Sequence, residues 1–304
     1  MWVQSPGVNK QLYRYDADDR ESASVAHIYG QNLAAAESMT ARANSSWMWS
    51  PASLKPTADQ EFVNGINRIV VHESAHQPLL DKAPGLTLGP YGQWFNRNET
   101  WAEQAGPWVD YLARSSYLLQ QGRFSADILY FYGEDSNITA IFDNSAPSLP
   151  AGYAFDYVNA DALIHMFHAA NGHITTASGM NYRLLVLDPN SKHMSLPVLR
   201  AIHSLVEEGA VIAGPKPTDT PSLADDQAEF NELNDELFGD GTGIHTLGKG
   251  KVFAGQDAAS ALAALNIAPD FYHARPQPDT RIAFVHRKLA DGDIYFLDNR
   301  NDRN

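Results

Sequence analysis

A glutamate follows a short run of small apolar residues, Leu33-Ala34-Ala35-Ala36-Glu37. Such a run fits a fully buried strand, and a carboxylate closing it is held rigidly where burial tunes its proton affinity for acid–base work. Glu37 reads equally as a first-turn acid of the helix that follows. A second group comes after the β-branched run Ile69-Val70-Val71, where His72-Glu73-Ser74-Ala75-His76 spells H-E-x-x-H. That string holds zinc when a helix stacks its two imidazoles. Here it runs into Pro78, which disfavours helical backbone at Gln77, so the match is read as chance. His72 and His76 are then polar residues at a strand end, open to a hydroxyl-rich ligand or packed into a loop.

Loop 84–104 carries Tyr91, Trp94, Phe95, Asn96, Arg97, Asn98, Glu99, Trp101 and Glu103. Rings stack on the C–H face of a sugar while amides and carboxylates read its hydroxyls. The bland alternative is a packed loop with Glu99 and Glu103 as first-turn helix acids. Other chemistries fall away. The chain has no cysteine, which excludes disulfides, thiol nucleophiles and zinc–thiolate sites. Gly243, Gly248 and Lys249 spell G-x-x-x-x-G-K, but Gly250 replaces the magnesium-binding Ser or Thr and a strand follows where a helix is needed. No G-x-S-x-G elbow is present.

The elements that must position these residues read as follows. A strand over 33–36, a helix over 53–66 with Pro56 in its first turn, a strand over 69–71 and an amphipathic helix over 100–122 make two βα units. Trp108, Tyr111, Leu112, Ser115 and Leu119 lie at helical spacing in the last, and Gly122 suits its C′ position. Polar residues at both strand ends match the active face of a (β/α)8 barrel. Strands over 124–135, 181–189, 210–215 and 249–255 then alternate with helices over 195–209 and 258–267, a parallel sheet with helices on both faces. Residues 216–245 read as exposed loop and helix. The stretch 280–300 alternates at period two around Asp291-Gly292, a hairpin with no predicted partner, so a β-rich domain is expected to open there.

Charge narrows the partners. Lys plus Arg number 22 against 36 Asp plus Glu in 304 residues, a formal charge of −14. Nucleic acid and anionic membrane surfaces both need a basic footprint, so neither is expected as partner. No apolar run approaches the roughly 18–20 residues of a membrane span, and MWVQSPGVNK lacks a secretory signal pattern.

The strings SVAHIYGQNLAAAES, NRNETWAEQ, RSSYLLQQGRFSADILYFYGED, SGMNYRLLVLD and VHRKLADGDIYFLDNR resemble glycoside hydrolase family 106 over essentially the whole chain. The family's characterised members are α-L-rhamnosidases. The resemblance implies the C-terminal part of a (β/α)8 barrel over 1–122, a flavodoxin-like α/β domain over 123–270, and the start of a β-rich domain over 271–304. It also implies calcium dependence and export to the periplasm or medium. The substrate would be a rhamnose-containing carbohydrate or glycoside, cleaved with inversion. Glu37 matches the glutamate taken as general base, in the run Ala34-Ala35-Ala36-Glu37-Ser38, while His72, His76, Trp94, Asn98, Glu99 and Trp101 would line the sugar site. The family's general-acid motif, of Asp-Ser-aromatic-Glu type, does not occur in these residues. The expectation is therefore a fragment that is inactive alone, since a general acid is worth about 10²–10⁴-fold. The alternatives are a non-catalytic carbohydrate-binding or oligomerisation module and another exo-glycosidase specificity.

Overall fold

The computed structural model describes residues 16–40, 46–89, 91–92, 94–135, 137–138, 147–274 and 277–301. The signal-peptide reading of the first ten residues lies outside them. Helix α1 (Asp16–Tyr29) occupies a stretch in which the sequence shows no helical stripe. Its docking face explains why: Asp16, Asp19 and Ser24 are buried beside Ala23, Ala26 and Ile28, so hydrogen bonds do much of what leucines usually do.

Strands β1 (Ala35–Ser38) and β2 (Arg68–Val71) pair in parallel, with Glu37 opposite Val70, and α2 (Pro51–Val63) crosses between them. The strand expected over 33–36 is thus shifted, and it is not fully buried. Leu33, Ala35 and Glu37 are exposed while Ser38 is buried, because a two-stranded sheet with helices on one side covers only alternate residues. Helix α2 starts at Pro51, where Ser53 accepts the Ser50 N–H at 2.9 Å, so Pro56 lies inside the helix and not in its first turn. Helix α3 (Gly106–Leu119) follows a 3-10 turn, Ala102–Gln104, and buries Trp108, Leu112, Ser115 and Leu119. It ends ahead of Gly122. That glycine has φ +60°, and a Cβ on it would stand 2.2 Å from the Lys288 carbonyl oxygen, so close approach of a later strand places it and not helix termination.

The rest of the chain runs β3 (Arg123–Phe124), β4 (Ile128–Phe131), β5 (Phe155–Val158), α4 (Ala160–His165), β6 (Phe167–Ala170), β7 (His173–Thr176), β8 (Asn181–Tyr182) and β9 (Leu184–Leu187). Then come α5 (Leu196–Glu208), β10 (Val211–Gly214), α6 (Gln227–Phe238), β11 (Gly243–Leu247), β12 (Gly250–Ala254), α7 (Ala258–Ala264), β13 (Ile282–Lys288) and β14 (Asp293–Asn299). Six strands form one sheet in the order β11-β12-β10-β9-β4-β5. Its five parallel members follow the chain as 2-1-3-4-5, the order of flavodoxin-type doubly wound sheets, and β11 alone is antiparallel. The span 216–245 is more structured than expected: α6 buries Phe230, Leu237 and Phe238, and β11 edges the sheet. The G-x-x-x-x-G-K string lies in the β11–β12 hairpin, where no phosphate loop forms.

The hairpin over 280–300 forms as read, but it has a partner. Arg287 and Lys288 of β13 pair with Phe124 and Arg123 of β3, and Arg300 donates to the Pro56 carbonyl at 3.1 Å. Residues Met39, Phe62, Trp108 and Leu112 share one buried cluster with Leu185, Ile202 and Leu205. Among the described residues no helix is long and apolar enough to cross a membrane.

Candidate functional site

The parallel pair β1–β2 has one face on the helices and one face open. Ile69 and Val71 pack toward the core, while Val70 and Glu37 fall on the uncovered side. Under the covered side, Ser38 donates to Glu61 Oε2 at 2.6 Å. Burial pushes the Glu61 carboxyl up to about 7 and that of Asp16 up to about 6. These perturbed acids lie on the helix side of β1, away from the open face that carries Glu37.

Beyond Ser38 the backbone turns sharply. Met39 has φ +65°, and Thr40, buried, donates to Glu37 Oε1 at 2.5 Å. At the end of β2 the His72 N–H donates to the Ser38 carbonyl at 2.8 Å, carrying the ladder one step further. The His72 ring is half-buried, with Nδ1 sealed from solvent and unpartnered, and His76 is exposed. No helix forms over 72–79, so the two imidazoles are not stacked as H-E-x-x-H requires.

The loop after β2 is folded by its own side chains. Glu73 accepts the Leu88 N–H at 2.6 Å, and its carbonyl takes the Phe95 N–H at 3.2 Å. The Gln77 amide pairs with the Leu86 backbone in both directions, each at 2.7 Å. Arg97 Nη2 donates to the Gln77 and Leu79 carbonyls at 3.0 and 2.7 Å, and Asn98 Nδ2 to those of Lys82 and Pro84 at 3.3 and 3.2 Å. This framework leaves a cleft of about 320 Å³ lined by Phe95, Asn96, Arg97, Glu99, Trp101, Ala102, Glu103 and Ala105. The Phe95 and Trp101 rings stand 5.9 Å apart at 55°. Trp101 Nε1 is anchored on the Trp49 carbonyl at 3.0 Å, and buried Glu99 accepts the Thr100 N–H at 2.7 Å.

Of the sequence-derived residues, Glu99 and Trp101 meet in the cleft, together with Phe95, Asn96, Arg97 and Glu103. Glu37 and His72 stand at the ends of β1 and β2. Trp94 is half-buried in the loop without lining the cleft, and the Asn98 amide is engaged in loop closure. Sequence reasoning missed Thr40, Gln77 and Glu61. Thr40 and Gln77 act through backbone turns that leave no periodic trace, and Glu61 lies on the buried face of a helix whose apolar stripe masks it. Among the described residues no three His, Asp or Glu side chains gather as a metal site would.

Mixed α/β layers with carboxylates and aromatic rings lining a cleft in a strand-end loop suit a protein that handles a hydroxyl-rich ligand. The chain belongs to glycoside hydrolase family 106, described as α-L-rhamnosidase, with the match running over residues 1–304. A rhamnosidase structure from Novosphingobium sp. PP1Y superposes with a TM-score of 0.91 at 43% identity, covering 98% of this chain and 28% of that one. A protein of Formosa agariphila, provisionally named a β-glucuronidase, is 36% identical over 279 residues, 91% of this chain and 22% of its own length. The chain thus spans about a quarter of these relatives. The fold alone is shared with a cold-adapted β-galactosidase from Rahnella sp. R3, with a TM-score of 0.60 at 10% identity covering 99% of this chain and 55% of that one. A family 42 β-galactosidase from G. stearothermophilus shares it too, at 0.55 and 12% over 99% and 54%.

Proposed function

We propose that this chain is part of an inverting α-L-rhamnosidase in which Glu37 is the general base and the cleft of Glu99 and Trp101 contributes to the sugar site. The observation carrying the reading is the position of Glu37 on the uncovered face of a parallel βαβ pair. In a (β/α)8 barrel that face is the interior, and chemistry sits at the C-terminal strand ends. A base there takes a proton from water as it attacks the anomeric carbon. A second carboxylic acid, about 6.5–9.5 Å away, protonates the departing oxygen. That acid would be supplied by polypeptide outside these residues, as would closure of the barrel around β1 and β2. Terminal rhamnosides of oligosaccharides or rhamnosylated glycosides are the substrates, met in the periplasm or outside the cell.

The provisional name of the Formosa relative raises a uronate as the rival sugar. The cleft disfavours it. Glu99 and Glu103 set two carboxylates against one guanidinium, and Arg97 already donates to two loop carbonyls. Calorimetric titration of the full-length enzyme that contains residues 1–304 with methyl α-L-rhamnoside and methyl β-D-glucuronide tests both. The rhamnoside is expected to bind and the glucuronide not to, with Trp101→Ala weakening the former about tenfold. Binding of the glucuronide alone, or of neither sugar, refutes the proposal.

A further inference from the structure

We propose that Thr40 is a positioning residue for Glu37, delivered to it by the left-handed turn at Met39. The inference rests on the reading of Glu37 as the base. Three observations carry it. The Thr40 hydroxyl lies 2.5 Å from Glu37 Oε1, a charge-assisted geometry at the short end of the range. Thr40 is itself buried beneath a carboxylate that is exposed, so the hydroxyl is fixed while the acid faces outward. Met39 adopts φ +65°, a region that L side chains seldom enter, although its own side chain is packed into the main core.

These features interlock. In an extended continuation of β1, residues 37 and 40 would point to opposite faces of the sheet. The single left-handed residue between them reverses the chain and brings Thr40 back under Glu37. Because threonine is branched at Cβ, its rotamer is restricted, so the backbone position decides where the hydroxyl points. The burial of the Met39 side chain holds the turn in place despite its strain, and strain of this kind collects at functional sites. The result is a carboxylate whose Oε1 is pinned, a geometry that orients the base toward water. Other ionisable groups lie near. Glu61 bonds Ser38 from beneath the strand, Arg68 pairs opposite Ala35, and His72 closes the end of β2. The Thr40 hydroxyl is the group that reaches Glu37 Oε1 from the turn.

The test is steady-state hydrolysis of a terminal α-L-rhamnoside by the full-length enzyme that contains residues 1–304. In Thr40→Val, which keeps shape and removes the hydroxyl, kcat is expected to fall about tenfold with KM nearly unchanged, and Thr40→Ser should restore it. An unchanged kcat in a Thr40→Val protein that melts like wild type overturns the proposal. If Thr40→Val does not fold, Thr40→Ala takes its place: a lowered kcat there, with Thr40→Ser equal to wild type, supports the proposal, and an unchanged one overturns it. Failure of the underlying reading looks different: Glu37→Gln would then leave rhamnoside hydrolysis by the full-length enzyme untouched.

Discussion

Replacing Asp156 with alanine should unlatch α1 from the six-stranded sheet. Asp156 is fully buried on β5. Its Oδ1 accepts from Ser24 Oγ at 2.9 Å and from His27 Nδ1 at 2.8 Å, and its Oδ2 accepts from the Tyr182 hydroxyl at 2.8 Å. Burial alone would push this carboxyl up, but His27, Tyr182 and the nearby Arg20 outweigh it and hold it below the ordinary range. Alanine leaves three donors without an acceptor and the half-buried Arg20 without one of its counter-charges. Breaking a buried charged network of this kind costs about 3–5 kcal/mol. At roughly 2–3 °C per kcal/mol for a chain of this size, the melting temperature should fall by about 6–15 °C. Asparagine keeps an oxygen for Ser24 and His27, so Asp156→Asn should lose only about half as much. Circular dichroism melts and urea titrations at pH 7 measure both. Because the folded carboxyl is depressed, its contribution is present above about pH 4 and is lost as pH falls through the folded value. The wild-type advantage over Asp156→Asn should therefore shrink below pH 4. A loss under about 1 kcal/mol for alanine at pH 7 would refute the account.

Two further substitutions probe other parts of the fold. Burial raises Asp16 from 3.8 to about 6, so its carboxyl stabilises the fold below about pH 4, and that contribution is lost as pH rises through 6. At about 1.4 kcal/mol per unit the penalty at pH 8 approaches 3 kcal/mol, and Asp16→Asn should melt higher than wild type at pH 8 but not at pH 4. Gly122→Ala places a methyl group against the Lys288 carbonyl at a positive φ. It should destabilise by about 2–3 kcal/mol and speed hydrogen exchange in the β13–β14 hairpin before the central sheet.

The most legible segments are those whose burial is apolar and periodic. Helix α5 buries Leu196, Val198, Leu199, Ile202, Leu205 and Val206 in sequence-visible register, and the hairpin around Asp291-Gly292 announces itself by alternation. Helix α1 and strand β5 escape for one shared reason. Their mutual contact is Asp156 with Ser24 and His27, and a buried polar latch looks like solvent-facing sequence until the partner is known. Strand β1 is visible but shifted, because a run of alanines carries almost no information about which residues face inward.

The candidate site divides along the same line. Residue types are enough to single out Glu37, the strand-end histidines and the aromatic–acidic loop, because the chemistry of sugar recognition limits which side chains are useful. Motif strings place the chain in its family. Which of those residues meet is decided by tertiary structure. The cleft exists because Glu73, Gln77, Arg97 and Asn98 tie backbone segments together, and those bonds join residues far apart along the loop. The Thr40 hydroxyl reaches Glu37 through a left-handed turn at a methionine, a conformation that sequence disfavours and only a packed core can hold. Hydrophobic periodicity is a local property and is written in the chain. Polar side-chain partnerships are set by where distant backbone ends up, and they become visible only once the chain has folded.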